Sequence, residues 1–379
     1  MRNTNQFEMG AMHSFRALTY DERYQLPNDC SRPSLKGIVL PDSTSLQLTS
    51  LRNYVAFVAG DIDANPSIGQ STYKNRLRRF YTNVNSCLRS MPFKVHTDVI
   101  PDWARNAHGE EEFNYFIYDK YFGFGRYFSP ATTPMAFLIE FLRVARDCAA
   151  DLVMNTPGCR PVADFFRGMD AALGMFSEEL YLPLNPSIYL ASELEDIPDA
   201  LLDTDIQAFN TWRVHHAMFA FFANMATAAL SGKVEKRNIE SATIFFRGTT
   251  VAMWSAVSFG AEIYNSTIRP SMRSSDAPHG FTGRHNKDYS VLLAKLGEVF
   301  EMPLSTQLPA DELVAVKALA AAYLDDGDEH IQIALKMIGA GQSLQTEKMV
   351  SEYGASSESA ISILERLKVM RTNQVHHLL

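Results

Sequence analysis

Residues 205–230, DIQAFNTWRVHHAMFAFFANMATAAL, constrain most strongly what this chain can fold into. The stretch is polar at its start and almost wholly apolar from Ala217 onward. A helix that is apolar on every side is buried inside a protein, so this stretch predicts a helix at the centre of a large core. Two adjacent histidines, His215 and His216, stand where the polarity changes. A histidine pair placed there needs a partner within the core.

The rest of the chain predicts an all-α protein, a multi-helix bundle around a buried pocket. Strand patterns are nearly absent, and 46% of the 379 residues are hydrophobic, enough for one large interior. We expect an irregular N-terminal segment at 1–44, a helical core with the pocket at 45–303, and a small C-terminal helical region at 304–379. The predicted helices span 45–59, 71–89, 134–154, 162–180, 205–230, 239–268, 288–300, 310–323, 330–339, 344–353 and 356–370. A further helix begins in the aromatic-rich stretch 110–127, where the glycines at 123 and 125 indicate its end.

Charge and cysteine content exclude several classes of function. The net charge is −8, whereas a nucleic-acid-binding domain shows a basic face, and the basic run KNRLRR at 74–79 is interpreted as a hydrated helix face. None of the four cysteines forms a C-x-x-C or C-x-x-C-H motif, which argues against a zinc ribbon, a disulfide framework and covalent haem attachment. No apolar leader or membrane span is recognised, because the apolar run 217–230 is too short and 241–263 carries Arg247. We therefore expect a cytoplasmic protein without nucleic-acid or membrane partners.

The motif Trp212-Arg213-Val214-His215-His216 is the strongest candidate for chemistry. On a helix, His215 points about 100° away from His216. The face of His216 also carries aromatic and small residues: Phe209, Trp212, Phe219, Ala220 and Ala223. Small side chains beyond the imidazole leave room for a flat macrocycle, so His216 is a candidate iron ligand of a haem. The alternative is a core histidine that is hydrogen-bonded to a carbonyl group.

Two segments carry a resemblance to a known family. Trp212-Arg213-x-x-His216 resembles the Trp/Leu-Arg-x-x-His stretch that holds the proximal haem ligand in the tryptophan 2,3-dioxygenase superfamily, which includes haem-dependent tyrosine hydroxylases. The segment Glu111-Glu112-Phe113-x-x-Phe116-Ile117 resembles the Asp-Glu-x-x-Phe-Ile segment on the distal side of the dioxygenases. The resemblance implies a b-type haem, activation of O2 or peroxide, and an aromatic amino acid or related substrate. It places Trp212, Arg213 and His215 among the cofactor contacts.

The chain also departs from the dioxygenase pattern. Only Ser231-Gly232 stands where the dioxygenases have a Gly-Thr-Gly-Gly-Ser loop that holds the substrate. Later in the chain, Gly280-Phe281-Thr282-Gly283 is a candidate for the same role. Asp119 or Lys120 stands at the position of their distal histidine. These departures favour a hydroxylase-like or other oxidising branch over tryptophan dioxygenation, with His108 as the candidate distal catalytic residue.

Two arginines are candidates for holding a carboxylate. Arg247 is the only charged residue between Ser241 and Ala261, so we expect a buried guanidinium that pairs with a substrate carboxylate, a haem propionate or an internal acid such as Glu262. Arg284 lies in a loop rich in Gly and His, where it is a candidate for cofactor binding. The same loop alternatively forms a hydrated connection that ends in a helix cap at Asp288.

Two other classes of function stay open. A non-haem di-metal oxidase on a helical bundle requires Glu-x-x-His pairs, and the chain has none. A non-enzymatic helical interaction protein fits the acidic surface, but it leaves the histidine pair without a role. The sequence leaves the oligomeric state open, a homodimer included.

Overall fold

The structure is a computed structural model, and it describes residues 24–27, 30, 32–65, 68–91, 110–127, 133–155, 159–182, 193–197, 204–232, 235–273, 280–301, 308–339, 341–353 and 358–379. Long helices dominate these residues, so the all-α prediction is confirmed. In chain order the elements are β1 (Tyr24–Pro27), α1 (Asp42–Ala64), α2 (Gln70–Ser90), α3 (Glu110–Phe122), β2 (Phe124–Tyr127), α4 (Thr133–Asn155), α5 (Cys159–Glu179), α6 (Thr204–Leu230), α7 (Lys236–Ala256), α8 (Ala261–Ile263), a π-helical turn (Tyr264–Ile268), α9 (Arg269–Met272), a 3₁₀ turn (Gly283–His285), α10 (Lys287–Glu301), α11 (Ala310–Ile338), α12 (Leu344–Tyr353) and α13 (Ala360–Val375).

Helix α6 lies at the centre of the bundle, as its composition predicts. It packs along α7 and also contacts α4 and α10. Nearly every side chain from Ala208 to Leu230 is buried. The fit between α6 and α7 depends on Gly248, because a Cβ there would lie 2.8 Å from the ring of Phe222. This central position fixes the directions in which His215 and His216 point.

Two predicted helix boundaries are wrong. The predicted helix 239–268 ends at Ala256, and the chain starts again at α8 and passes through a π-helical turn. Conversely, the predicted helices 310–323 and 330–339 are one continuous helix, α11. The polar stretch between them stays helical because Asp326 is buried and its carboxylate accepts hydrogen bonds from Thr250 of α7 (2.7 Å) and Arg371 of α13 (2.8 Å).

The N-terminal segment contributes a short strand that we did not predict. Strand β1 pairs in parallel with β2, with Tyr24 opposite Phe124 and Pro27 opposite Tyr127. Four residues are too few for a recognisable strand pattern, and the partner strand is distant in sequence. Strand β2 follows α3 directly, and the helix ends at the glycines as predicted. The helix stops at Phe122 because Gly123 adopts a φ of +70°, which favours glycine.

The C-terminal helices contact the central ones. Helix α11 packs against both α7 and α13, and its residues Val316, Leu319 and Ala320 belong to the same hydrophobic core as α6. The division at residue 304 stays a prediction. Among the described helices, none has the length and apolarity that crossing a lipid bilayer requires.

Candidate functional site

The imidazole of His216 packs against two aromatic rings. The ring of Phe122, at the end of α3, stacks on it with centroids 4.2 Å apart and planes 18° apart. The indole of Trp212, one turn earlier on α6, lies 4.1 Å from it between centroids. His216 is 2% exposed. The two rings restrict the rotation of the imidazole.

The hydrogen bonding of His216 sets its tautomer. Its Nδ1 lies 2.6 Å from the backbone oxygen of Trp212. A carbonyl oxygen can only accept, so Nδ1 carries the proton and donates it. The lone pair of the ring is therefore on Nε2, to which no described residue makes a hydrogen bond. This is the arrangement by which proteins prepare a histidine to bind a metal.

Burial keeps the His216 imidazole neutral. Desolvation lowers the pKa of His216 to about 3, and the neighbouring His215 also lowers it, whereas the hydrogen bond to Trp212 raises it. Metal binding requires an unprotonated nitrogen, and at this pKa the imidazole does not lose a proton when a metal binds near neutral pH.

His215 faces a different set of residues. Its Nε2 lies 2.9 Å from Oδ2 of Asp151 on α4. The other oxygen of that carboxylate accepts hydrogen bonds from Thr211 (2.5 Å) and Asn155 (2.8 Å). Because Asp151 already binds its Nε2, His215 is not brought together with His216 at one site.

Arg213 lies near strand β1. Its guanidinium stacks over the ring of Tyr24 in β1, 5.5 Å from the ring centroid. It also contacts the turn after α3, since a Cβ on Gly123 would lie 3.4 Å from its Nε. Arg213 thus joins α6 to the β1–β2 pair beside Phe122.

The remaining predicted site residues do not converge on His216. Arg247 lies on the exposed side of α7, so the expectation of a buried guanidinium is wrong. The apolar stretch around it belongs to a helix with one face in solvent, where Ile244 is exposed as well. Arg284 is also exposed, in the 3₁₀ turn. His108 lies outside the described residues, as do the side chains of Glu111, Glu112, Phe113 and Phe116.

A buried ion cluster that we did not predict lies on the far side of α3. The guanidinium of Arg126 donates to both oxygens of Asp119, at 2.7 and 2.8 Å, and to Asp288 at 2.8 Å. Asp288 also accepts a hydrogen bond from Asn224 of α6 at 3.2 Å. Asp288 is therefore an ion-pair partner of Arg126 and does not cap α10 as predicted. The cap is Asn286, whose side-chain oxygen accepts a hydrogen bond from the backbone N–H of Tyr289 at 2.9 Å.

The charges in this cluster are unequal, with two carboxyl groups around one guanidinium. Burial raises the pKa of Asp119 although Arg126 opposes the rise. Burial acts to lower the pKa of Arg126, but the two carboxylates outweigh it and raise that pKa. Asp119, one of the two residues expected at the position of the dioxygenases' distal histidine, is paired with Arg126 within the fold.

The loop after residue 279 brings another ring to the site. The ring of Phe281 lies 5.9 Å from that of Phe122 and 5.5 Å from that of Tyr118, between centroids. It also meets Tyr121 edge to face at 5.7 Å. The segment Gly280–Gly283, expected to replace the dioxygenase substrate loop, therefore reaches the aromatic surface around Phe122.

Comparison with known proteins assigns the family. A family model described as SfmD 3-methyl-L-tyrosine peroxygenase matches residues 39–315, well over half of the 379-residue chain. The chain belongs to the SfmD 3-methyl-L-tyrosine peroxygenase family. That family consists of haem-dependent peroxygenases that act on an aromatic amino acid. No curated protein and no solved structure matches the chain.

Membership of the SfmD peroxygenase family supports the predicted resemblance to haem-dependent aromatic oxygenases in general. It does not support the tryptophan dioxygenase branch of these enzymes in particular. The residues around His216 fit a haem. The imidazole is neutral and buried, its Nδ1 donates its proton to the backbone oxygen of Trp212, and no described residue uses its Nε2 lone pair. Among the described residues, no group of three or more His, Cys, Asp or Glu is arranged to hold a metal ion.

Sequence reasoning missed the residues that α3 and β2 contribute. Phe122 was part of a recognised aromatic run at 110–127, and that density was the only available signal. Arg126 has Asp119 seven residues before it, but Asp288 is 162 residues away. Local spacing therefore could not have identified the ion cluster.

Proposed function

We propose that this protein is a haem-dependent peroxygenase or oxygenase that oxidises the ring of an aromatic amino acid, with His216 as the protein ligand of the iron. Family membership supports the haem and the class of substrate. The observation that carries the choice of ligand is the hydrogen bond of 2.6 Å from Nδ1 of His216 to Trp212, which leaves Nε2 available. When bound, a haem supplies an iron atom at which peroxide or O2 is activated for oxygen transfer.

The protein's own residues prepare this site in advance. The carbonyl of Trp212 keeps the proton on Nδ1, so that Nε2 points its lone pair outward from the ring. Phe122 stacks on one face of the imidazole and Trp212 packs beside it, so the two rings restrict its orientation. Preorganisation of this kind places the ligand before any cofactor arrives.

The aromatic surface next to Phe122 suits the ring of an aromatic amino acid such as 3-methyl-L-tyrosine. Tyr118, Tyr121 and Phe281 meet there with centroids 5.5 to 5.7 Å apart. Ring–ring contacts of this type favour stacked or edge-to-face geometries with a bound aromatic ring. His108 remains our candidate for proton transfer, and Arg213 for contact with a propionate.

The experiment is a comparison of His216→Ala with His215→Ala. We expect His216→Ala to lose the Soret band, the intense violet absorption of bound haem, after reconstitution with haem. His215→Ala, which removes the imidazole that pairs with Asp151 instead, should retain it.

Equal haem retention in the two variants would place the iron ligand elsewhere in the chain. Iron found by elemental analysis without a Soret band would favour the di-metal alternative. Colourless protein free of metal after reconstitution would favour a non-enzymatic helical protein.

A further inference from the structure

Tyr121, near the end of α3, touches both rings that pack against the His216 imidazole. Its ring meets that of Phe122 edge to face, with centroids 4.9 Å apart and planes 89° apart. Burial raises the pKa of Tyr121, and the indole N–H of Trp212, hydrogen-bonded to its hydroxyl oxygen, acts against that rise. Tyr121 can therefore act on the imidazole through two neighbouring side chains at once.

The hydroxyl of Tyr121 belongs to a chain of hydrogen bonds that runs in one direction. Tyr121 Oη and Ser271 Oγ lie 2.7 Å apart. Ser271 donates its own hydrogen to the backbone oxygen of Ile268 at 2.7 Å, so Tyr121 is the donor within the hydroxyl pair. Since a hydroxyl has a single hydrogen, the Tyr121 oxygen is then turned to accept from the indole of Trp212. Each donor in the chain, from the indole to the backbone oxygen, is used.

The outer end of this chain lies on a well-anchored segment. Ser271 belongs to α9, and Ile268 is the last residue of the π-helical turn that precedes it. Such turns are frequent at functional sites. Arg269, between the two, is buried and pairs with Glu347 of α12 at 2.7 Å. This ion pair makes the segment a fixed support for the Tyr121 hydroxyl.

We propose that Tyr121 is a positioning residue for His216. The inference rests on the proposed function, because it concerns the residue that we assign as the iron ligand. The hydroxyl of Tyr121 holds the indole of Trp212, and its ring holds that of Phe122. These two rings restrict the imidazole and keep its Nδ1–H aligned with the backbone oxygen of Trp212, 2.6 Å away. Residues that orient a metal-binding histidine in this way strengthen metal binding.

The test removes the links of the chain one at a time. Tyr121→Phe keeps the ring but removes the hydroxyl that joins Trp212 to Ser271. Ser271→Ala leaves that hydroxyl in place and removes only its acceptor. Tyr54→Phe is the matched control. Tyr54 is also a buried tyrosine, and its hydroxyl donates to the backbone oxygen of Arg76 at 2.8 Å, in the contact between α1 and α2.

Three measurements follow the imidazole of His216. In the haem-free protein with isotopically labelled histidine, the NMR position of the Nδ1–H proton reports the strength of its hydrogen bond to Trp212. In the haem-bound protein, resonance Raman spectroscopy gives the iron–histidine stretching frequency. Titration with haem, followed by the Soret band, gives the dissociation constant. Thermal melts measure any general loss of stability separately.

We expect Tyr121→Phe to move the Nδ1–H signal toward that of a weaker hydrogen bond, to shift the iron–histidine frequency and to raise the Kd for haem about tenfold. Ser271→Ala should cause the same changes to a smaller extent, because Tyr121 keeps the oxygen that accepts from Trp212. Tyr54→Phe should change none of the three quantities, even where it lowers the melting temperature.

The inference is overturned if Tyr121→Phe leaves the Nδ1–H signal and the iron–histidine frequency as they are in the wild-type protein, or if Tyr54→Phe changes them equally. If Tyr121→Phe does not fold, Ser271→Ala, which keeps all the rings, is compared with Tyr54→Phe on the same criteria. Failure of the proposed function has a different signature. If His216→Ala keeps its Soret band, the choice of iron ligand is wrong, while the Nδ1–H signal of the haem-free protein still tests the positioning.

Discussion

The two faces of α6 show opposite solutions to the burial of a histidine. On one face, His215 meets Asp151, whose two oxygens also bind Thr211 and Asn155. On the other face, His216 contacts the backbone oxygen of Trp212 and the rings of Phe122, Trp212 and Phe219. The first imidazole has its Nε2 bound within the fold. The second has an Nε2 to which no described residue hydrogen-bonds, and burial keeps this imidazole neutral.

The difference between His215 and His216 shows that two residues adjacent in sequence need not share a function. Two neighbouring positions on a helix differ by about 100° in direction, so they face different helices. The polar face stabilises the contact between α4 and α6. The aromatic face has the properties of a binding site, and the following predictions are designed to separate the two faces.

Truncation of the aromatic face should have the largest effect. Phe122→Ala removes the ring that stacks on His216 and leaves a cavity in a fully buried position. We expect a loss of about 3–5 kcal/mol in the free energy of unfolding, together with weaker haem binding. Urea unfolding and the Soret band measure the two effects.

Phe122→Leu, which keeps most of the volume, should lose less of both stability and haem affinity. If Phe122→Ala were destabilised but bound haem as tightly as the wild-type protein, Phe122 would serve the core only, and the contrast between the faces would weaken.

Truncation of the polar face should have a smaller effect of another kind. Asp151→Ala leaves two buried groups, on Thr211 and His215, without their acceptor, and removes one of the acceptors of the half-buried Asn155 amide. We expect a loss of about 1–3 kcal/mol in the free energy of unfolding and an unchanged Soret band after reconstitution. A shifted or missing band in this variant would show that the two faces are coupled.

The smallest expected effect concerns the pH dependence of the haem-free protein. The pKa of His216 is about 3 in the folded chain, below its ordinary value of 6.5. As the pH falls below 6.5, the imidazole therefore binds a proton in the unfolded chain but not in the folded one. Stability attributable to His216 is therefore lost on acidification, by about 1.4 kcal/mol from about pH 7.5 to about pH 5.5.

The measurement is the difference in free energy of unfolding between the wild-type protein and His216→Gln at each pH, which removes the contribution of all other groups. A difference that stays constant over this range would mean that the imidazole is hydrated in the folded protein, contrary to the burial described above.

Much of the helical architecture was predictable from local patterns. The central helix was placed correctly because its apolar composition leaves no exposed face, and His216 was singled out by its position on that helix. Arg247 was misjudged for a related reason. The charge lies within an apolar run that suggested burial, but α7 turns that side toward solvent.

Other features depended on contacts that no local pattern records. The pair β1–β2 joins residues about a hundred positions apart, and the Arg126 cluster joins α3, β2, α6 and α10. Likewise, α11 continues through its polar middle because α7 and α13 supply partners for Asp326.

The amino-acid sequence alone determined that this protein is helical, that α6 is buried and that its two histidines point apart, because helix periodicity and hydrophobic burial act locally. Only the tertiary structure decided which histidine keeps a free nitrogen. That choice depends on Asp151 reaching His215 from α4 and on Phe122 reaching His216 from α3, and both contacts exist only once the helices have packed.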